Sequence, residues 1–346
     1  MLSQRAVLML CTALATRKGS PLRLCGIVLM PNIIFRSRLY KFRSITTTFF
    51  YMSNYRIIVV TGSNRGIGKG IVQLLAREHC KQPLAIYATS RAGFNSNIES
   101  VAPNIVLYRK LDITDQASIG TFFKAVLEEH GAVDILVNNG AVSHHRHETT
   151  DLAAQTVRTN YGGTRDMCRA FLAQPNIRPG ARIVNVTSGH NRLQNYGPDP
   201  QNLFREAKTL DSLDAIAEAY LSAVRRGSDA QAQAGWGTGA RSYKVSKALI
   251  NALTIVLAQQ YPHVLVNCGC PGWTDTVMGN EADGTPPKTP EQGAYVPTRL
   301  AIGDLGPGGN RDGGIGKDSE PFTGLFYEND SIVEPGWGRA SLWLES

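Results

Sequence analysis

The octet Thr61-Gly62-Ser63-Asn64-Arg65-Gly66-Ile67-Gly68 constrains the fold more than any other segment, because of what stands on either side of it. Before it, Tyr55-Arg56-Ile57-Ile58-Val59-Val60 is apolar and β-branched, the pattern of a strand buried on both faces. After it, residues 66–79 read as an amphipathic helix. A glycine-rich turn in that setting lets backbone approach a pyrophosphate, which then sits on free N–H groups at the positive end of the helix. Glycine turns are common, so the octet alone is a weak signal and its context carries the weight. Gly62, Ser63, Asn64, Arg65, Gly66, Ile67 and Gly68 are therefore candidate dinucleotide contacts.

From Tyr55 onward, short β-branched runs alternate with longer amphipathic stretches, as parallel strands with helical crossovers require. Strands are expected near 55–60, 84–89, 105–109, 133–137, 181–186, 263–268 and 322–327. Helices are expected at 66–79, 115–129, 151–173 and 243–260. The fold class is α/β: a Rossmann-type doubly wound parallel sheet in three α/β/α layers. Two segments break the rhythm. Residues 190–240 form an insert with a helical stretch from Leu210 to Arg226, and a loop at 303–318 holds seven glycines within 303–316. The expected organisation is a leader at 1–53 followed by one domain at 54–346.

The second strand indicates which dinucleotide is meant. An Asp or Glu at its end would bond both ribose hydroxyls of NAD, yet no carboxylate occurs from His79 to Ile98 and the strand ends Thr89-Ser90-Arg91. A guanidinium there matches the 2′-phosphate of NADP in charge and forked geometry, with Arg65 as a second cation. The expected cofactor is NADP(H). Asp112, followed by Ile113 just past the third strand, is placed to accept from the adenine amino group. Asn138 and Asn139 end the fourth strand, either to bond the cofactor or to brace the sheet.

Tyr243 and Lys247 are one helical turn apart and share a helix face. A phenol of pKa ~10 is a poor acid/base near neutrality, and an adjacent ammonium together with a cationic nicotinamide would lower it. Ser188, at the carboxyl end of a strand, lies where open α/β sheets bind ligands and can hold a carbonyl oxygen against Tyr243. Asn160 is a poor helix former inside an expected helix, which assigns it a task beyond packing: binding a water that links Lys247 to solvent.

In order and spacing, TGSNRGIG, Asn138-Asn139, the helical Asn160, Ser188, Tyr243-x-x-x-Lys247 and Pro271-Gly272 resemble the short-chain dehydrogenase/reductase family over residues 55–337. Ser188 and Tyr243 are 55 positions apart, which is similar to the monomeric carbonyl reductase subgroup rather than to members with about a dozen. Asn160-Tyr-Gly-Gly-Thr-Arg-Asp166 and Cys270-Pro-Gly-Trp273 point the same way. The resemblance implies a monomer, because the inserted helix covers the surface other members use to tetramerise. It further implies that Gly272 to Thr276, Trp273 included, touch the nicotinamide and that Trp273 and Met278 line the substrate pocket. Tyr243 would protonate a ketone, aldehyde or quinone oxygen as NADPH gives a hydride. An alcohol, steroid or polyol dehydrogenase working oxidatively, and a non-catalytic NADP-binding module, are the alternatives. One departure stands out: the family pattern Asn-Asn-Ala-Gly is Asn138-Asn139-Gly140-Ala141 here, shifting a flexible position beneath the nicotinamide.

The formal charge of +8 does not indicate a nucleic-acid partner, because it lies at the front. Residues 1–53 hold eight Lys or Arg and no acid, leaving 28 basic and 28 acidic residues beyond. Such a leader has the composition of a mitochondrial transit peptide, whereas a start at Met52 would leave the protein in the cytoplasm. No run is long enough to span a membrane. The cysteines show no metal-ligand spacing and read as reduced thiols. His144, His145 and His147 lack a ligand shell, so no metal is expected.

Overall fold

The computed structural model describes residues 55–80, 82–144, 148–281, 284–303, 322–329, 331 and 333–346. The leader and most of the glycine-rich loop therefore lie outside the described residues.

In chain order the elements are β1 (Arg56–Val60), α1 (Gly66–Arg77), β2 (Leu84–Ser90), β3 (Ile105–Lys110), α2 (Gln116–His130), β4 (Ile135–Asn138) and α3 (Thr150–Val157). A π-helical turn at Arg158–Gly162 leads into α4 (Gly163–Leu172) and β5 (Arg182–Val186). Next come α5 (Pro198–Glu206), α6 (Leu210–Arg225), α7 (Ser228–Gln233), α8 (Ser242–Gln260) and β6 (Leu265–Gly269). The chain closes with α9 (Pro290–Gly293), α10 (Tyr295–Ile302), β7 (Phe326–Glu328) and β8 (Arg339–Ser341).

The sheet order is β3-β2-β1-β4-β5-β6-β7-β8, parallel throughout except for the antiparallel β7–β8 pair. Strand order reverses between β1 and β4, which opens a crevice at the carboxyl ends of the strands. Alternation along β1 divides the core in two. Ile57 and Val59 pack with residues of α2, α4 and α8, whereas Ile58 and Val60 pack with α1 and α10. All four are fully buried, as strands covered on both faces must be. This is the expected doubly wound, three-layer α/β/α fold.

Several details differ from the expectation. The helix expected over 151–173 is interrupted by the π turn at Arg158–Gly162, where Asn160 and the Gly162-Gly163 pair weaken the regular i→i−4 pattern. The last parallel strand begins at Phe326 rather than 322, because Thr323 and Gly324 bond Val266 from outside the ladder. Helices α5, α7, α9 and α10 and strand β8 were not expected.

The 190–240 segment carries an aromatic core of its own. Trp236 packs edge-on against Tyr196, Phe204 and Tyr220, with centroids 5.5–6.4 Å apart. The chain's C-terminal turn joins that cluster: Trp343 lies 5.5 Å from Phe204 and its Nε1 donates to Asn191 O at 3.1 Å. Such arrangements bury large apolar area while placing ring edges on ring faces. Helix α6 in turn packs on α3 and α8.

Candidate active site

A cavity of about 850 Å³ lies in the crevice at the strand ends. The octet contributes Gly62, Asn64, Arg65, Gly66 and Ile67 to its wall. Arg91 follows β2 and Asp112 and Ile113 follow β3. Asn139, Tyr243 and Lys247 line the middle, and Pro271, Thr276 and Met278 line the far side.

Other candidates face elsewhere. Ser63 is buried, and its Oγ donates to Thr89 O at 3.2 Å, tying the turn to β2. Gly68 packs against Gly62 and the Asn139 amide. Asn138 is a brace, its Nδ2 donating to Asn185 Oδ1 at 2.9 Å and to Cys168 Sγ at 3.3 Å. Gly272 lies against Lys288 and Asn329 and does not line the cavity. Trp273 does not line it either, because its indole Nε1 donates to Gly279 O at 3.0 Å and its ring lies against Gly284. His145 and His147 lie outside the described residues.

The turn is suited to a dinucleotide. Residue 65, at the N-cap of α1, makes no side-chain cap, and the first turn of that helix holds no acid. Its free N–H groups therefore meet the cavity with the positive end of the helix dipole intact. Asn139 secures the turn, its Nδ2 donating to the carbonyls of Thr61 and Gly62 at 3.0 and 3.1 Å. Gly62 has φ +64°, and a Cβ there would lie 2.7 Å from Gly140 Cα. The reversed Gly140-Ala141 order is harmless to the backbone. Asn97 alone among the described non-glycine residues has positive φ, so Ala141 is unstrained, and a Cβ at Gly140 would lie 3.2 Å from Ile113 Cδ1.

Asp112 has one carboxylate oxygen engaged. Its Oδ1 accepts from Thr114 N at 2.9 Å and from Thr114 Oγ1 at 2.7 Å, leaving Oδ2 for an adenine amino group. Burial opposes its ionisation, but the Thr114 hydrogen bonds and the charges of Arg91 and Arg158 outweigh it, holding the carboxyl below its ordinary value.

Tyr243, Lys247 and Ser188 come together. Lys247 Nζ lies 5.7 Å from the Tyr243 ring centroid and donates to Val186 O at 2.8 Å. Ser188, just past the end of β5, is buried, accepts from His190 N at 3.3 Å and lies beside the phenol. Burial dominates the electrostatics of both ionisable groups. It pushes the Tyr243 phenol up, with Cys270 adding to the rise and Ser188 opposing it. It lowers the Lys247 ammonium from 10.5 to about 8, against a small contribution from Cys270. The lowering expected of the phenol rests on the lysine together with a cationic nicotinamide; in the protein alone burial is the largest influence on it.

The side chain of Asn160 is committed elsewhere. Its Oδ1 accepts from Val142 N at 2.8 Å, and its Nδ2 donates to Val142 O at 2.9 Å and Ser246 Oγ at 3.0 Å. These bonds occupy the side chain; the expected water link from Asn160 to Lys247 is not among them.

Two residues were missed. Cys270 Sγ accepts from Gly189 N at 3.1 Å and Gly272 N at 3.3 Å, pinning the Ser188 loop to the loop after β6. Its place directly before Pro271-Gly272 was the only available signal. Thr187 Oγ1 donates to Lys247 O at 3.2 Å, which fixes the end of β5 against α8.

Residues 56–197 match the family model of short chain dehydrogenases. Carbonyl reductase (NADPH) 1 of Sus scrofa is 30% identical over 302 residues, covering 83% of this chain and 96% of that protein. Short-chain dehydrogenase/reductase 1 of Saponaria officinalis is 31% identical over 323 residues, covering 82% and 97%. Among solved structures, salutaridine reductase from Papaver somniferum superposes with TM-score 0.62 at 26% identity, covering 79% of this chain and 99% of that one. The NADPH-bound carbonyl reductase from chicken fatty liver shares the fold with TM-score 0.56 at 22% identity, covering 84% and 100%.

Proposed function

The chain belongs to the short-chain dehydrogenase family, and from that membership we propose that it reduces a ketone, aldehyde or quinone carbonyl to an alcohol with NADPH. NADP(H) is the cofactor. Arg91, Arg65 and the absence of a carboxylate at the end of β2 match the 2′-phosphate, and the free N-terminus of α1 matches the pyrophosphate. When bound, NADPH supplies the hydride.

The observation that carries the reading is that Tyr243 and Lys247 line one cavity together with Arg65 and Arg91, with Lys247 Nζ 5.7 Å from the Tyr243 ring centroid. A phenol pushed up by burial holds its proton at neutral pH, the form that a donor to a carbonyl oxygen needs. Ser188, buried just past the end of β5, is the residue we assign to holding that oxygen against the phenol. Lys247 Nζ lies 5.7 Å from the ring centroid and its pKa of about 8 is close enough to neutrality to restore a proton to the tyrosine. Asn160 is a bracket between α8 and the loop after β4. We assign the protein a monomeric state, since α6 occupies the faces of α3 and α8.

The test is cofactor oxidation by the purified protein across aromatic ketones, quinones and short aldehydes. NADPH is expected to be consumed at least tenfold faster than NADH with some of these. Equal use of the two cofactors would overturn the assignment of Arg91, and no turnover on any carbonyl would overturn the activity.

A further inference from the structure

Helix α8, which bears Tyr243 and Lys247, begins without a cap of its own. The residue before it is Arg241, whose side chain makes no capping bond, and the first turn contains no acid. The amide groups of Arg241 and Ser242 would then lack partners where Ser242 is fully buried.

A carboxylate 94 residues earlier supplies the partners. Glu148 Oε1 accepts from Arg241 N at 3.0 Å, and Oε2 accepts from Ser242 N at 3.0 Å and from Ser242 Oγ. Tyr220 of α6 donates to the same carboxylate at 3.5 Å. An anion bound by two successive amides at a helix start is favoured by the dipole as well as by the hydrogen bonds.

We propose that Glu148 is a positioning residue for the reaction, capping α8 from outside and fixing the backbone from which Tyr243 departs. The inference rests on Tyr243 being the proton donor. Ser242 and Ser246 lie one turn apart on a single face of α8, each one residue before Tyr243 and Lys247. Glu148 holds the first and Asn160 holds the second. Ser246 Oγ also donates to Tyr243 O at 2.7 Å, so the second bond reaches the tyrosine's own carbonyl. One continuous segment, from Glu148 through α3 to the π turn, thus rivets α8 at both turns that carry the reacting side chains. Tyr220 brings the 190–240 insert to the same point.

Glu148→Gln retains size and one acceptor but turns an NH₂ group toward donors. The expected result is a fall in kcat of about tenfold or more with the Kd for NADPH, read from its bound fluorescence, within twofold. Amide exchange at Arg241 and Ser242 should rise at least tenfold. Phe204→Leu, which loosens the insert by packing alone, is the control, with both variants compared at equal distance below their own Tm. Unchanged exchange in Glu148→Gln overturns the cap, and a kcat loss matched by Phe204→Leu overturns the positioning role. Should Glu148→Gln not fold, Glu148→Asp is expected to give intermediate exchange and kcat, and wild-type values for both would overturn the proposal. Lack of turnover in the unaltered protein would instead refute the carbonyl reductase reading, with the exchange measurement still reporting on the cap.

Discussion

Replacing Lys247 with Met should make the protein more stable at pH 7 while stopping its turnover. The Lys247 ammonium is almost completely buried, and its burial lowers its pKa from 10.5 to about 8. A difference of that size corresponds to about 3 kcal/mol against folding when the group is charged in both states. Methionine removes the charge and fills most of the volume, but leaves Val186 O without its donor, a cost of about 1–2 kcal/mol. The net gain is about 1–2 kcal/mol, a rise of roughly 2–3 °C in Tm for a domain of this size. The sign with pH follows from proton binding. Between pH 8 and 10.5 the unfolded chain holds the lysine proton and the folded protein does not, so the wild type gains stability as pH rises through that window. Thermal unfolding followed by far-ultraviolet circular dichroism should show the advantage of Lys247→Met largest at pH 7 and gone or reversed by pH 10. A variant less stable than wild type at pH 7, or a gap that does not change with pH, would refute the claim that burial of the ammonium dominates.

Tyr243→Phe should lower kcat by about 10²–10⁴-fold while leaving NADPH affinity within twofold, measured by stopped-flow turnover and fluorescence titration. Arg91→Ala should weaken NADPH about 10- to 100-fold and NADH less than twofold. That loss should shrink at high salt, because Arg91 is exposed. Gly62→Ala should remove cofactor binding and lower stability by about 2 kcal/mol or more in denaturant unfolding, because its φ of +64° and the 2.7 Å approach to Gly140 Cα both oppose a side chain.

What could be read from the sequence was whatever depends on neighbours along the chain. The buried strands β1, β2 and β5 are apolar runs with turn residues at their ends, and Tyr243-x-x-x-Lys247 is legible as a shared helix face. Strand β8 has only three residues and exists through its pairing with β7, so no local pattern marks it. A contiguous octet reads as one unit, yet Ser63 turns inward to β2 while Asn64 faces the cavity. Trp273 looked like a pocket wall, but a hydrogen bond to a residue six positions on holds it aside. The burial of the Tyr243 phenol is a property of the assembled fold, so counting nearby cations along the chain could not include it. Glu148 had no signal at all, since the amides that it serves are 93 and 94 positions away.

The close approach of Gly62 and Gly140 also governs how the specificity of such a protein can be altered. Grafting the loop after β4 from another enzyme, to change which molecules are accepted, cannot be done without regard to the nucleotide turn. A Cβ at position 140 would come within 3.2 Å of Ile113 Cδ1 and 3.4 Å of Thr61 Oγ1, so any side chain the graft carries there must be met by a shift of Ile113. A change in either loop therefore has to be accommodated by the other.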